Sequence, residues 1–103
     1  MVIPNNKVAS IIRLAKGPES IERLIDYMRG LTYYEILVVE ALMLYGRDID
    51  TYGMDGADSL ASWWEYVQDE WGGDKGDADG AITYIVGKGW CLPDYLEAAM
   101  NAL

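Results

Sequence analysis

The chain has 103 residues, 51% of them hydrophobic and 24% charged, with 17 acids against 8 bases, no histidine and one cysteine. Such a length gives one domain with a single core, and the apolar share is too high for a disordered chain. A net charge of −9 opposes contact with nucleic acid and anionic membranes; the missing histidines remove the usual zinc sites and every histidine-based triad, and Cys91 has no partner for an internal disulfide.

The N-terminus, MVIPNNK, carries no basic segment followed by an apolar core. The longest apolar stretch, Ile36 to Tyr45, is interrupted by Glu40 and is about half of a membrane span, so the expectation is a cytoplasmic protein. After Pro4 and the capping candidates Asn5 and Asn6, the apolar residues Val8, Ile11, Ile12 and Ala15 follow a helical spacing that Gly17-Pro18 terminates. A second helix is predicted from near Pro18 to Gly30, burying Ile21, Leu24, Ile25 and Met28.

The most specific start signal is Thr32-x-x-Glu35, a capping box with Leu31 and Ile36 placed as its hydrophobic staple. The following ILVVEALMLY is apolar on nearly every side, which predicts a central helix from Thr32 to Tyr45 closed by Gly46. Arg47 to Gly56 has the composition of an ordered loop. A fourth helix is predicted from about Asp58 to Trp71, with Leu60, Trp63, Trp64, Val67 and Trp71 on one face and Asp58, Ser62, Glu65 and Asp69 on the other. Gly72-Gly73 ends it, Ala81 to Val86 reads as a short helix, and a last helix starts at Pro93 with Leu92, Tyr95, Leu96, Ala99 and Leu103 on one side. The fold class expected is all-α: five or six short helices in one bundle spanning residues 1–103.

The acids are segregated. Asp48 to Asp79 contains ten acids and only Lys75 as a base, so this segment alone carries −9. Aspartates ahead of a glycine suggest calcium, but neither candidate loop fits an EF-hand. With Gly80 at the sixth position, the first is Lys75 and the twelfth Val86; with Gly53 there, the fifth is Tyr52 and the twelfth Ser59. No metal or other cofactor is expected. Glu65 and Asp69 stand one helical turn apart, about 5–6 Å, close to a retaining glycosidase pair. An exposed stripe offers no cleft in which to tune their pKa values, so no catalytic residues are assigned and the chain is read as a non-enzyme. Neither Gly87-Lys88-Gly89 nor Gly72-Gly73 sits in a strand-turn-helix phosphate loop. The tryptophans lack the positive groove of a base-stacking platform and read as core; Trp90, in the turn KGWCLP, is the one candidate for an exposed anchor.

A surface with ten acids and one base in a single segment repels itself, whereas a face serving only solubility interleaves both signs. The functional expectation is therefore a protein that presents Asp58, Glu65, Asp69, Glu70, Asp74, Asp77 and Asp79 to a basic groove of a nucleic-acid-handling protein, in place of DNA. The alternative is a small polar ligand or protein partner held by the Gly46–Gly56 loop through Arg47, Asp48 and Asp50.

Several stretches resemble a bacterial family known only as a domain of unknown function: Lys7-Val8 with Ile11-Ile12 and Ala15, then Ala41 to Asp48 (ALMLYGRD), then Thr83 to Gly87 (TYIVG), and Leu92 to Glu97 (LPDYLE). The chain departs from that pattern at Asp48, where the family has glycine, and in its shorter join at Gly17-Pro18. The resemblance implies a helical domain and carries no catalytic residue. In size and charge the chain is also similar to phage-encoded anti-CRISPR inhibitors, a likeness of general character without a motif.

Overall fold

Thr32 and Glu35 start the helix around which the others are arranged. In the computed structural model the backbone N–H of Glu35 donates to Thr32 Oγ1 at 3.1 Å and that of Thr32 donates to Glu35 Oε1 at 2.9 Å, so the capping box closes in both directions. Leu31 and Ile36 pack into the core on either side of it. The structure describes residues 1–17, 20–71 and 76–103, apart from the side chains of Ser20, Glu70 and Trp71.

Six α-helices and no strand are present among the described residues: α1 (Asn5–Lys16), α2 (Ser20–Arg29), α3 (Tyr33–Tyr52), α4 (Leu60–Trp71), α5 (Ala78–Val86) and α6 (Cys91–Asn101), with a 3-10 turn at Met54–Gly56. The helix α3 is central. Every residue from 36 to 44 is buried, as a helix apolar around its circumference requires, and α4, α5 and α6 pack on it. Val8 and Ile11 from α1, Leu24 and Met28 from α2, Val67 from α4, Ile82 and Ile85 from α5, and Leu92 and Leu96 from α6 complete the core. Ion pairs tie the outer helices in place: Lys7 of α1 to Glu35 of α3 at 2.5 Å, Lys16 of α1 to Glu97 of α6, and Arg29 of α2 to Asp79 of α5 at 3.7 Å. The Lys7 ammonium and the Thr32 N–H both bind the Glu35 carboxylate and hold its pKa below the ordinary 4.5.

The largest departure from expectation is at Gly46. It does not close the central helix; α3 continues to Tyr52 and stops at Gly53, whose φ of +77° and N–H bond to the Ile49 carbonyl at 2.8 Å make the terminating turn. Gly46 is instead a crossing point. A Cβ built there would lie 1.7 Å from the Tyr95 carbonyl oxygen, so the absence of a side chain lets the α6 backbone lie directly against α3. The Arg47 to Gly56 loop is accordingly two more turns of helix and a 3-10 turn.

Smaller differences concern element ends. Helix α1 begins at Asn5 with Pro4 as its cap, so neither asparagine caps it. Helix α5 begins at Ala78, three residues ahead of the expected start, because the Asp77 carboxylate accepts from the Gly80 N–H at 3.1 Å. Helix α6 begins at Cys91, two residues before Pro93. Ile21, expected in the core, is 61% exposed in the first turn of α2; burial on that face begins at Leu24. Leu103 lies beyond α6 and is exposed.

Candidate functional site

Helix α4 is built as its pattern dictates. Ser59 caps it, its Oγ accepting from the Ser62 N–H at 3.1 Å, which leaves Asp58 just outside the helix. Val67 is fully buried, and Leu60, Trp63 and Trp64 are half-buried against the core. Trp64 meets the Tyr34 ring edge-on at 5.2 Å, and Trp63 meets Tyr66 edge-on at 5.5 Å. The indoles of Trp63 and Trp64 thus face inward while Asp58, Glu65 and Asp69 are exposed.

The seven acids expected to form one face do not all lie on one element. Asp58, Glu65 and Asp69 belong to α4 and its approach; among the described residues none of the three forms an ion pair. Asp77 and Asp79 belong to the start of α5, where Asp77 caps the helix and Asp79 lies opposite Arg29. Asp74 and the side chain of Glu70 lie outside the described residues, as does the side chain of Trp71.

Of the three residues of the expected loop site, Asp48 is turned away from the other two, because one helical position is about 100°, whereas Arg47 and Asp50, three positions apart, lie on one side of the helix and both act electrostatically on Tyr95. Asp50 is exposed, Arg47 is half-buried and Asp48 is buried at 8% exposure. The Asp48 carboxylate has a structural task. Its Oδ2 accepts from the Trp63 indole Nε1–H at 2.9 Å and from the Asp58 backbone N–H at 3.3 Å, fastening the start of α4 to the end of α3. Hydrogen bonds to a charged acceptor contribute about 1.5–3 kcal/mol each. The same bond fixes the Trp63 ring, over which the Arg47 guanidinium sits at 5.7 Å from the centroid.

These contacts outline a groove of about 270 Å³ between the end of α3, the start of α4 and α5, lined by Leu44, Arg47, Asp58, Ser62, Trp63, Tyr66 and Tyr84. The sequence pattern could not place Arg47, Ser62 and Tyr84 together; the usable signal was that a half-buried tryptophan needs an acceptor for its N–H and Asp48 is an acidic residue bordering the apolar run. Trp90 is 86% exposed, in agreement with its reading as a surface indole. Among the described residues no cluster of three cysteine or carboxylate side chains could hold a metal ion, and no helix is long and apolar enough to cross a membrane. Compared with known proteins, the chain matches no family model, no curated protein and no solved structure. The functional reading accordingly rests on the geometry of this chain.

Proposed function

We propose that this protein is a non-enzymatic inhibitor that docks the acidic face of α4 on a lysine- and arginine-lined surface of a nucleic-acid-handling protein and blocks it, as anti-CRISPR proteins do. The observation that carries the reading is a contrast in charge compensation. Glu35, Glu97 and Asp79 are each met by a base from another helix, whereas Asp58, Glu65 and Asp69 are exposed and, among the described residues, meet none. Asp26, Asp50, Asp55 and Asp94 are likewise unmet among the described residues, and what marks α4 is that two such acids stand one turn apart on a helix that carries no base. Glu65 and Asp69, one turn apart, repel each other at a cost of about 0.2–0.5 kcal/mol, which a neighbouring lysine would remove. Their spacing of about 5–6 Å is of the same order as the one charge per 3.4 Å along a DNA strand. A partner surface shaped for phosphates recovers that repulsion as attraction and gains association rate through steering.

Such a partner places the protein in the cytoplasm. Direct binding to nucleic acid or to an anionic membrane is opposed by the same charge. The test is competition: immobilised wild-type protein should retain nucleic-acid-binding proteins from a cell extract, and short duplex DNA added in excess should release them. Retained proteins that duplex DNA leaves in place contradict the reading.

A further inference from the structure

We propose that the groove between α3, α4 and α5 is a binding site for a small single-ring aromatic carboxylate that carries a ring hydroxyl or amino group. The groove shares Asp58 with the docking face and is otherwise independent of it. Three observations define the ligand: charge, shape and polarity.

Charge is set by Arg47. Among the described residues no carboxylate lies within 4.0 Å of its guanidinium, although the chain holds 17 acids, and its contact in the structure is the face of Trp63. The guanidinium lies over the indole at 5.7 Å from its centroid and meets no carboxylate among the described residues, so its planar fork of N–H donors is available to take a ligand carboxylate through two parallel hydrogen bonds. Lys88 adds a second positive charge beside the groove, its Nζ 4.4 Å from the centroid of the lining Tyr84 ring. A cationic ligand would be repelled by both and drawn only by Asp58, and only an anionic one can use the two parallel bonds that Arg47 offers.

Shape is set by the aromatic walls. Trp63, Tyr66 and Tyr84 come from two helices and surround a floor made by Leu44, which is 1% exposed. A volume of about 270 Å³ lies near the lower end of the range usual for small-molecule sites, which suits a ligand of one ring with its substituents. The walls are preformed, because Asp48 fixes the Trp63 indole from behind and Tyr66 stands edge-on to it. Polarity is set by Asp58 and Ser62, acceptors on the groove wall. They suit a hydroxyl or amino donor on the ring, and a ligand without one leaves Asp58 desolvated and unpaired.

The experiment is a titration of the protein with 4-hydroxybenzoate, followed by the Trp63 indole N–H resonance and by calorimetry. Binding that saturates in the submillimolar to millimolar range is expected. Benzoate should bind more weakly, benzylamine should not bind, and Arg47→Gln should weaken 4-hydroxybenzoate at least about tenfold, the factor that corresponds to about 1.4 kcal/mol. Tyr84→Ala, on an exposed residue of a different helix, provides a second variant and should also weaken binding. Because they lie outside the groove, Glu65→Lys and Asp69→Lys should leave the affinity unchanged; this separates failure here from failure of the docking reading. No saturable shift of the Trp63 resonance, equal affinity in R47Q, or preference for benzylamine would overturn the proposal.

Discussion

Gly46→Ala sets two physical effects of opposite sign against each other. In an exposed helix interior the change stabilises by about 1 kcal/mol, because alanine is the better helix former. Gly46 is buried and has no positive φ, so it gains that full benefit locally. Against it stands the Tyr95 carbonyl, whose oxygen would lie 1.7 Å and whose carbon 2.5 Å from the new methyl group. Tight real contacts begin at 3.0 Å, so α6 must withdraw from α3 by more than an ångström along its crossing. The obstacle is backbone and cannot rotate aside. Overpacking of this kind costs about 1–3 kcal/mol and at times more, and here the upper end applies because two helices must separate. The net expectation is a loss of about 2 kcal/mol, seen as a fall of about 8–16 °C in Tm for a domain of this size. Thermal melts followed by far-UV circular dichroism give the value, with native helicity retained below the transition. An unchanged or raised Tm would mean that propensity wins and that α3 and α6 do not cross at Gly46.

Further outcomes follow from the same geometry. Asp48→Ala leaves the Trp63 indole and the Asp58 N–H without their acceptor, and a loss of about 1–3 kcal/mol is expected, with a red shift of tryptophan emission as Trp63 loosens; Asp48→Asn, which keeps an acceptor oxygen, should cost less. Thr32→Ala removes one arm of the capping box and should cost about 1 kcal/mol in urea unfolding. Glu35 has a pKa lowered in the folded state, so its contribution is complete above the ordinary 4.5 and is lost as the pH falls through the lowered value. Glu35→Gln should therefore flatten the acid limb of a Tm-against-pH curve, and an acid limb identical to that of the wild type would contradict the Lys7–Glu35 pairing.

What was legible in the sequence was what short-range chemistry decides. The capping box at Thr32 and Glu35, the amphipathic face of α4 and the circumference of α3, apolar but for Glu40, each follow from residues within a turn or two of one another. What was not legible depends on distant partners. Glycine after an apolar run ordinarily ends a helix, and only the approach of Tyr95, 49 positions on, makes Gly46 a crossing point instead. Reading Arg47 to Gly56 as a loop followed from that, and it concealed the task of Asp48. The acids of residues 58–79 looked like one set by composition, yet Asp79 lies opposite Arg29 from a helix 50 positions earlier, a pairing that no local pattern records. Ile21 shows the converse: its spacing is correct for the buried stripe, but the structure covers that stripe only from Leu24 onward.

If uncompensated acids on α4 hold a basic partner, the double variant Glu65→Lys, Asp69→Lys must lose it. Both side chains are exposed, so the variant should melt within a few degrees of the wild type, since surface changes rarely exceed about 0.5 kcal/mol. Capture of DNA-displaceable proteins by the immobilised wild type should fall steeply as salt rises from 50 to 300 mM, about the range over which screening shortens from 14 to 6 Å, and the variant should capture none of them at any salt. A folded variant that retains the same proteins with the same salt dependence would show that α4 is merely a solvated face.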